Sequence, residues 1–333
     1  MVLERGKKNC ITDIEGIKVG HITLYEKIDE ETTVCTGVTA ILPHSGDLFD
    51  KKLQAGSAVI NGFGKTTGLI QVDELGELES PIMLTNTFSV GAVWQGTLQY
   101  MINRNKAIGD TASTVNIVVG ECNDGYLNSL HHQAIKPEHA MEALENAKTD
   151  PVKQGAVGAG KGMVCFGYKG GIGTASRIVS AKNEKYTVGC LVLSNFGKRE
   201  EALFADWSKT KLDTPDGSIM MIIATDAPLH SQQLKRLAKR CAAGLGRVGS
   251  NIDHGSGDIA IAFSTASTYG DQAETPLESI SYIRNNHGIM NQLFQAVIQT
   301  TEEAIINSMK YAETTYGRKG RFVEKAPLMM KKE

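Results

Sequence analysis

The chain is built from short apolar runs separated by polar, glycine-rich connections. Residues 36–43, 114–120, 187–195 and 259–263 are apolar and rich in β-branched side chains, which predicts strands. Residues 218–224, which read Ser-Ile-Met-Met-Ile-Ile-Ala, form the most uniform of these runs. Because the runs show no polar face, we expect the strands to be covered on both sides.

Helical patterns separate or follow the predicted strands. Residues 134–147 predict a helix with a proline near its start. Residues 230–245 repeat apolar side chains at three- and four-residue spacing, which predicts a second helix. A third helical region is predicted from Thr275, where Thr-Pro-Leu-Glu forms a capping-box pattern, to about Ala312, with Gly288 as a candidate break. Together these elements predict sheets covered by helices.

Composition and charge narrow the class of protein. Lysine and arginine number 35 against 37 aspartates and glutamates, which gives a formal net charge of −2 over 333 residues. A protein that binds nucleic acid normally carries a basic excess, so we expect no nucleic-acid partner. No apolar run reaches the roughly 18 residues of a membrane span, and the first residues lack the apolar core of a secretory signal. We therefore expect a cytoplasmic protein with no membrane partner.

The cysteines and histidines show no spacing that is typical of a metal site. None of the six cysteines forms a C-x-x-C pair, and the eight histidines contain no H-x-x-x-H pair. Without those spacings a zinc site is not predicted. We expect reduced thiols, no metal and no cofactor.

Two glycine-rich segments imitate a phosphate-binding loop without completing it. The Gly-Lys-Thr run that ends at Thr66 lacks the earlier glycine of the motif, since that position is Val59. Residues 155–162 carry Gly162 where a serine or threonine should bind magnesium. Nucleotide binding is therefore not predicted. The glycine-dense stretch over residues 155–173 is expected to pair a loop with a strand over residues 163–168.

Ser218 lies between the turn sequence Thr-Pro-Asp-Gly and a buried strand. One interpretation is a serine at a strand start whose hydroxyl satisfies a backbone group. The other is a processing site. If the Gly217–Ser218 bond breaks, the Ser218 hydroxyl becomes a nucleophile whose own α-amine, with a pKa of about 8, takes the proton. Gly217 suits this reading because it lacks a Cβ and can hold the strained turn of an N-to-O acyl shift.

Ser256 and Asp258 precede the strand predicted over residues 259–263. In an extended segment their side chains lie on one side, because residues two apart share a face. A hydroxyl and a carboxylate placed this way form a relay beside a nucleophile or, alternatively, an Asx-type turn at a strand start.

The residues around Ser218 resemble the self-processing junction of the L-aminopeptidase/D-esterase family, which includes the β-peptidyl aminopeptidases. Further segments that resemble the family occur in its order along nearly the whole chain, at residues 11–21, 61–65, 121–127, 158–163, 169–176, 194–197, 216–229 and 256–258. The resemblance implies one αββα four-layer sandwich over residues 1–333, similar to the N-terminal-nucleophile hydrolases but with different connectivity.

The resemblance also implies catalytic roles. Ser218 is the nucleophile and, after cleavage from Gly217, the new N-terminus. Ser256 is expected to hydrogen-bond near the Ser218 amine and hydroxyl, and Asp258 to orient that serine. Asn195 is expected to donate its side-chain amide to the oxyanion, although it could instead cap the turn that follows it.

Two further residues are implied in substrate binding. Glu121 is expected to pair with the free ammonium of the substrate, although it could be a surface carboxylate at a strand end. Asn123 stands where some relatives carry an aromatic residue, so a tyrosine-assisted oxyanion contact is in doubt. Asn123 and Asp124 also suit a simple turn before Gly125.

The function that the resemblance implies is a metal-independent, self-cleaving serine aminopeptidase, amidase or esterase. Its substrates are short peptides, amides or esters with a free amine, and its mature form is a homo-oligomer of units built from residues 1–217 and 218–333. An acyltransferase of the ornithine-acetyltransferase type or an oligoamide hydrolase is an alternative, but those relatives use a threonine nucleophile where this chain has Ser218. A second alternative is an unprocessed binding protein without catalysis.

Overall fold

The computed structural model describes residues 2–181, 184–204, 217–270, 277 and 279–327. Within these ranges the strands and helices are, in chain order, β1 (Lys18–Lys27), β2 (Thr33–Leu42), β3 (Lys52–Asn61), α1 (Leu69–Leu75), β4 (Glu77–Leu78), β5 (Ile82–Asn86), α2 (Val90–Arg104), β6 (Val118–Cys122), α3 (Pro137–Glu145), β7 (Val164–Cys165), β8 (Tyr168–Lys169), β9 (Gly171–Ala181), β10 (Glu184–Asn195), β11 (Ser218–Thr225), α4 (Ser231–Val248), β12 (Gly257–Tyr269), α5 (Ile289–Lys310), β13 (Thr315–Tyr316) and β14 (Phe322–Val323).

Ten strands form two sheets that pack face to face. The smaller sheet has the order β1-β2-β5-β6 and the larger one β4-β3-β12-β11-β10-β9. Most neighbours are antiparallel, but β5 pairs with β6 and β11 with β12 in parallel. A core shared by both sheets fills the space between them.

Helices cover the outer face of each sheet. Helices α2 and α3 pack on the smaller sheet, and α4 and α5 pack on the larger one. Strand β11 shows why a buried strand has no polar face: Met220 and Ile222 point into the core between the sheets, whereas Ile219 and Met221 point toward the helices. The fold is therefore the αββα four-layer sandwich that the resemblance implied.

The strands predicted from apolar runs are largely confirmed, as β2, β10, β11 and β12. The run over 114–120 is strand only from Val118 onward, in β6. Residues 163–168 do not form one strand, and this prediction was wrong. Phe166 and Gly167 have φ values of 49° and 66°, so the chain reverses there and β7 pairs with β8 as a hairpin.

The first two predicted helices are confirmed as α3 and α4, and the third begins later than expected. Its proposed capping residues, Thr275 among them, lie mostly outside the described residues, and residues 279–284 are not helical. Instead Ile283 donates its N–H to the carbonyl of Pro228 and accepts a hydrogen bond from Gln233. Because these bonds hold the segment against the start of α4, helix α5 begins only after Gly288.

The described part of the chain lacks a membrane-spanning helix, a metal-ligating cluster of side chains and a disulfide. None of its helices is long and apolar enough to cross a membrane. It also contains no group of three or more His, Cys, Asp or Glu placed to hold a metal ion. All six cysteines are buried and free.

Candidate active site

Ser218 lies at the first position of β11, where three strand ends meet. In the larger sheet it stands opposite Asn195, the last residue of β10, and opposite Gly257, the first residue of β12. Its side chain is buried, with 7% exposure. The Ser218 Oγ accepts a hydrogen bond of 3.2 Å from the Gly257 N–H. The hydroxyl therefore has a defined position at the end of the sheet where these three strands meet.

Gly217 joins Ser218 to a segment outside the described residues, which includes Asp216. The Gly217 carbonyl accepts a hydrogen bond of 3.3 Å from the same Gly257 N–H. A Cβ on Gly217 would overlap the carbonyl oxygen of Asn195. Only glycine fits at this position without moving the end of β10.

Ser256 and Asp258 flank Gly257, and their side chains meet as their spacing predicted. The Ser256 hydroxyl donates a hydrogen bond of 2.7 Å to Asp258 Oδ1, and both residues are buried. No donor in the described ranges reaches Asp258 Oδ2. Burial raises the pKa of Asp258 to about 6, although the hydrogen bond from Ser256 opposes the rise. Asp258 is therefore a buried carboxyl group with a raised pKa, one residue from the Gly257 that contacts Ser218.

The side-chain amide of Asn195 is held between the start of β7 and the residue that follows β6. Its Oδ1 accepts a hydrogen bond of 2.8 Å from the Val164 N–H, and its Nδ2 donates one of 2.9 Å to the Asn123 carbonyl. No acceptor in the described part of the chain takes the second N–H of this amide. Neither of these two bonds caps the turn that follows Asn195. The amide thus retains one donor next to Ser218.

Glu121, in β6 of the smaller sheet, is a buried carboxylate with 5% exposure. Its Oε1 accepts a hydrogen bond of 2.8 Å from the Lys65 N–H, and its Oε2 accepts one from the Thr87 hydroxyl. Among the residues that the structure describes, no lysine or arginine forms an ion pair with it. Glu121 is therefore not the surface carboxylate of the alternative interpretation.

Asn123 follows β6 and takes part in the site mainly through its backbone. Its Oδ1 accepts a hydrogen bond of 2.9 Å from the Gly125 N–H, which is the turn contact that the sequence allowed. Its carbonyl accepts the bond from Asn195. Since Asn195 stands opposite Ser218, this bond connects the Glu121 region of the smaller sheet to the Ser218 region of the larger one.

Asn61, at the end of β3, is a site residue that the sequence analysis did not single out. Its Nδ2 donates to the carbonyls of Asp253 and His254 at 3.1 Å each, and to that of Ser256. Four residues later, the Lys65 N–H binds Glu121. The loop over residues 61–65 therefore contacts both the Ser256 region of the larger sheet and Glu121 of the smaller sheet. Its glycines were visible in the sequence as an incomplete phosphate loop, but no local spacing points to contacts this distant.

Known proteins share both the sequence and the fold. Residues 9–323 match peptidase family S58. The chain is 38% identical to the β-peptidyl aminopeptidase BapA of Sphingosinicella microcystinivorans over 348 residues, which cover 97% of this chain and 86% of that protein.

Two solved structures are similar along almost the whole chain. The PH0078 protein of Pyrococcus horikoshii OT3 is 46% identical, with a TM-score of 0.91 over 98% of this chain and 93% of that one. The L-aminopeptidase D-Ala-esterase/amidase of Ochrobactrum anthropi is 32% identical, with a TM-score of 0.88 over 98% and 93%. The latter is described as a prototype of the serine aminopeptidases with a new variant of the N-terminal-nucleophile hydrolase fold.

Proposed function

The chain belongs to peptidase family S58, and from this premise we propose that it is a self-cleaving serine aminopeptidase. It releases N-terminal residues from short peptides, amides or esters that carry a free amine. The observation that carries the proposal is the position of Ser218, directly after Gly217 and opposite both Asn195 and Gly257. The family membership itself makes the protein a hydrolase of the aminopeptidase class.

In the first step the chain cleaves itself. The Ser218 Oγ attacks the carbonyl carbon of Gly217, a C–O bond forms, the C–N bond breaks, and the released Ser218 amine takes the proton. Water then hydrolyses the ester and leaves the pieces 1–217 and 218–333. The Gly257 N–H, which donates to the Gly217 carbonyl oxygen, supports this step because negative charge develops on that oxygen.

In the second step the Ser218 Oγ attacks the carbonyl carbon of the substrate, the bond to the leaving amine or alcohol breaks as that group takes up the proton, and water then hydrolyses the acyl-enzyme ester. The Ser218 amine accepts the hydroxyl proton, as in other N-terminal nucleophiles. Ser256, held by Asp258, orients the amine and hydroxyl. The N–H of Asn195 that no described residue accepts donates to the oxyanion, and loss of such a donor typically costs about 2.7 to 4 kcal/mol of barrier.

The buried carboxylate of Glu121 binds the free ammonium of the substrate. The Lys65 N–H and the Thr87 hydroxyl hold it in place while leaving its charge without a basic partner in the described ranges. A charge-assisted bond of this kind makes a free N-terminus a requirement for binding. Because one relative is a β-peptidyl aminopeptidase, β-dipeptides belong in the first substrate panel beside α-aminoacyl p-nitroanilides.

The proposal predicts two fragments for the wild-type protein and one for Ser218→Ala. Intact mass of the denatured protein should give masses for 1–217 and 218–333, together with hydrolysis of substrates that have a free amine. Ser218→Ala should stay at full length and be inactive, because the attacking oxygen is missing. Active wild-type protein of full length, or continued cleavage in Ser218→Ala, would rule the mechanism out.

A further inference from the structure

Lys169, in β8, carries a positive charge in the interior that the proposed mechanism does not use. Its side chain is 0% exposed. Its Nζ donates to three backbone carbonyls, those of Gly160 at 2.9 Å, Met163 at 2.7 Å and Gly170 at 2.9 Å. No carboxylate in the described part of the chain forms an ion pair with it. An apolar side chain would fill this space without the cost of burying a charge, so the ammonium has a role beyond filling volume.

Two of the three carbonyls, those of Gly160 and Met163, belong to the loop directly before Val164, and the third belongs to Gly170, directly after β8. Met163 precedes Val164, and the Val164 N–H donates to Asn195 Oδ1. The Gly170 N–H also donates to the Met163 carbonyl, at 3.1 Å. Lys169 therefore fixes, from inside the protein, the segment that presents a donor to Asn195.

The other end of the amide is held by residues packed against the same loop. Asn195 Nδ2 donates to the carbonyl of Asn123, and the next residue, Asp124, is completely buried. A Cβ on Gly162 would lie 2.7 Å from the Cβ of Asp124, so the loop and this carboxyl group are in close contact. Burial raises the pKa of Asp124 and lowers that of Lys169, and each charge favours the ionised form of the other.

The two contacts of Asn195 select one orientation of its amide. If the amide turned over, the NH2 group would face the Val164 N–H and the oxygen would face the Asn123 carbonyl. We propose that Lys169 is a positioning residue that holds Val164 in place and thereby keeps the Asn195 amide directed at the oxyanion. This inference rests on the proposed function, in which Asn195 is the oxyanion donor.

The test is a double-mutant cycle on the full-length gene product, with kcat and KM measured per cleaved protein. Lys169→Met, Asn195→Ala and the double variant are compared on an aminoacyl p-nitroanilide. We expect Lys169→Met to lower kcat about tenfold to a hundredfold while KM changes less than about twofold. In the Asn195→Ala background the same change should have almost no effect, since the amide on which Lys169 acts is absent.

Lys161→Met is the matched control. Lys161 is also buried and belongs to the same loop, but its Nζ lies 3.4 Å from Glu313 and 4.1 Å from the centre of the Tyr25 ring. It does not touch the carbonyls that Lys169 binds. Its kcat should stay within about twofold of the wild type.

The outcomes separate this inference from the proposed function. If Asn195→Ala alone leaves kcat unchanged, the oxyanion role in the proposed function is wrong. If Asn195→Ala lowers kcat and the effects of the two substitutions multiply, only the role of Lys169 is wrong. If Lys169→Met fails to fold by circular dichroism, Lys169→Gln, which keeps two N–H donors, takes its place in the cycle. Failure of both variants to fold would assign Lys169 to general stability and overturn the inference.

Discussion

Asp258 is the residue at which stability and the proposed activity oppose each other. Its carboxyl group is buried, it binds Ser256 through Oδ1, and no described residue donates to Oδ2. Burial raises its pKa to about 6 from an ordinary value near 4. Between these two pH values the unfolded chain binds fewer protons than the folded one, so stability falls as pH rises through this window. The ionised carboxylate that orients Ser256 is therefore a destabilising group at neutral pH.

Asp258→Asn should raise the melting temperature and lower the activity at pH 7.5. The neutral amide removes the cost of the buried charge, on the order of 1 to 3 kcal/mol, but it accepts more weakly from Ser256. At pH 4 the two proteins should melt at similar temperatures. In the wild type kcat should fall first below about pH 8, where the Ser218 amine becomes protonated, and fall further as pH drops through about 6, where Asp258 does. Thermal melts and a kcat profile over pH 4–9 measure both effects, and a variant that melts lower at pH 7.5 would contradict this account.

Glu121→Gln should weaken substrate binding rather than turnover. The substitution keeps the shape and removes the charge that, in the proposed function, pairs with the substrate ammonium, an interaction worth about 1.5 to 3 kcal/mol. We expect KM to rise about tenfold to a hundredfold, with kcat within about threefold. Glu313→Gln, which changes an exposed carboxylate beside Lys161, is the control and should leave KM unchanged. A lower kcat at unchanged KM would assign Glu121 to the reaction step instead.

At the scale of elements, the junction depends on how closely β11 approaches the end of β10. The carbonyl of Asn195 occupies the space where a side chain on residue 217 would begin. The Gly217 carbonyl and the Ser218 hydroxyl are therefore held by the sheet ladder rather than by side-chain contacts alone.

Gly217→Ala should slow self-cleavage at least tenfold without unfolding the protein. The added methyl group displaces the Gly217 carbonyl from the Gly257 N–H, and this displacement is confined to the end of a strand. Gly246→Ala is the control, because Gly246 lies in α4 with no atom within 4 Å of its would-be Cβ. Accumulation of the two fragments on denaturing gels gives the rates, and wild-type cleavage in Gly217→Ala would contradict the close-approach argument.

Local sequence patterns correctly predicted the strands and helices whose residues are buried in a regular way along the whole element. Strand β11 is apolar at nearly every position because it is buried on both faces, and the run of residues shows this directly. The strand expected over 163–168 failed because Phe166 adopts a left-handed backbone, which its side chain does not reveal. The late start of α5 depends on bonds from residue 283 to Pro228 and Gln233, far away in sequence.

Only part of the candidate site could be predicted from the spacing of residues in the sequence. The i, i+2 spacing of Ser256 and Asp258 predicted their contact, whereas the roles of Glu121 and Asn195 came from the family resemblance. The three hydrogen bonds of the Asn61 side chain and the three of the Lys169 side chain were not predicted. Both side chains donate to backbone carbonyls. Because every residue has a backbone carbonyl, the amino-acid sequence does not indicate which of them will accept.

At the scale of the whole molecule, the sandwich brings the site together from both sheets. The smaller sheet supplies Glu121 and Asn123 after its strand β6, and the larger sheet supplies Ser218, Asn195 and Asp258. The bond between Asn195 and Asn123 spans the two. A shift of one sheet against the other would therefore separate the ammonium site from the nucleophile.

The strand order of the larger sheet has a further consequence once residue 217 is separated from residue 218. Strands β12 and β11 then belong to one polypeptide, and they lie between β3 and β10 of the other. The smaller sheet lies entirely within residues 1–217, but neither polypeptide retains the complete larger sheet, so neither can rebuild the fold alone. Folding is a first-order process only for the precursor, and recovery of the cleaved protein after denaturation requires two molecules to meet. Under the proposed cleavage, the precursor would fold once as a single chain, and the cleaved protein would then depend on its unfolding rate to stay intact.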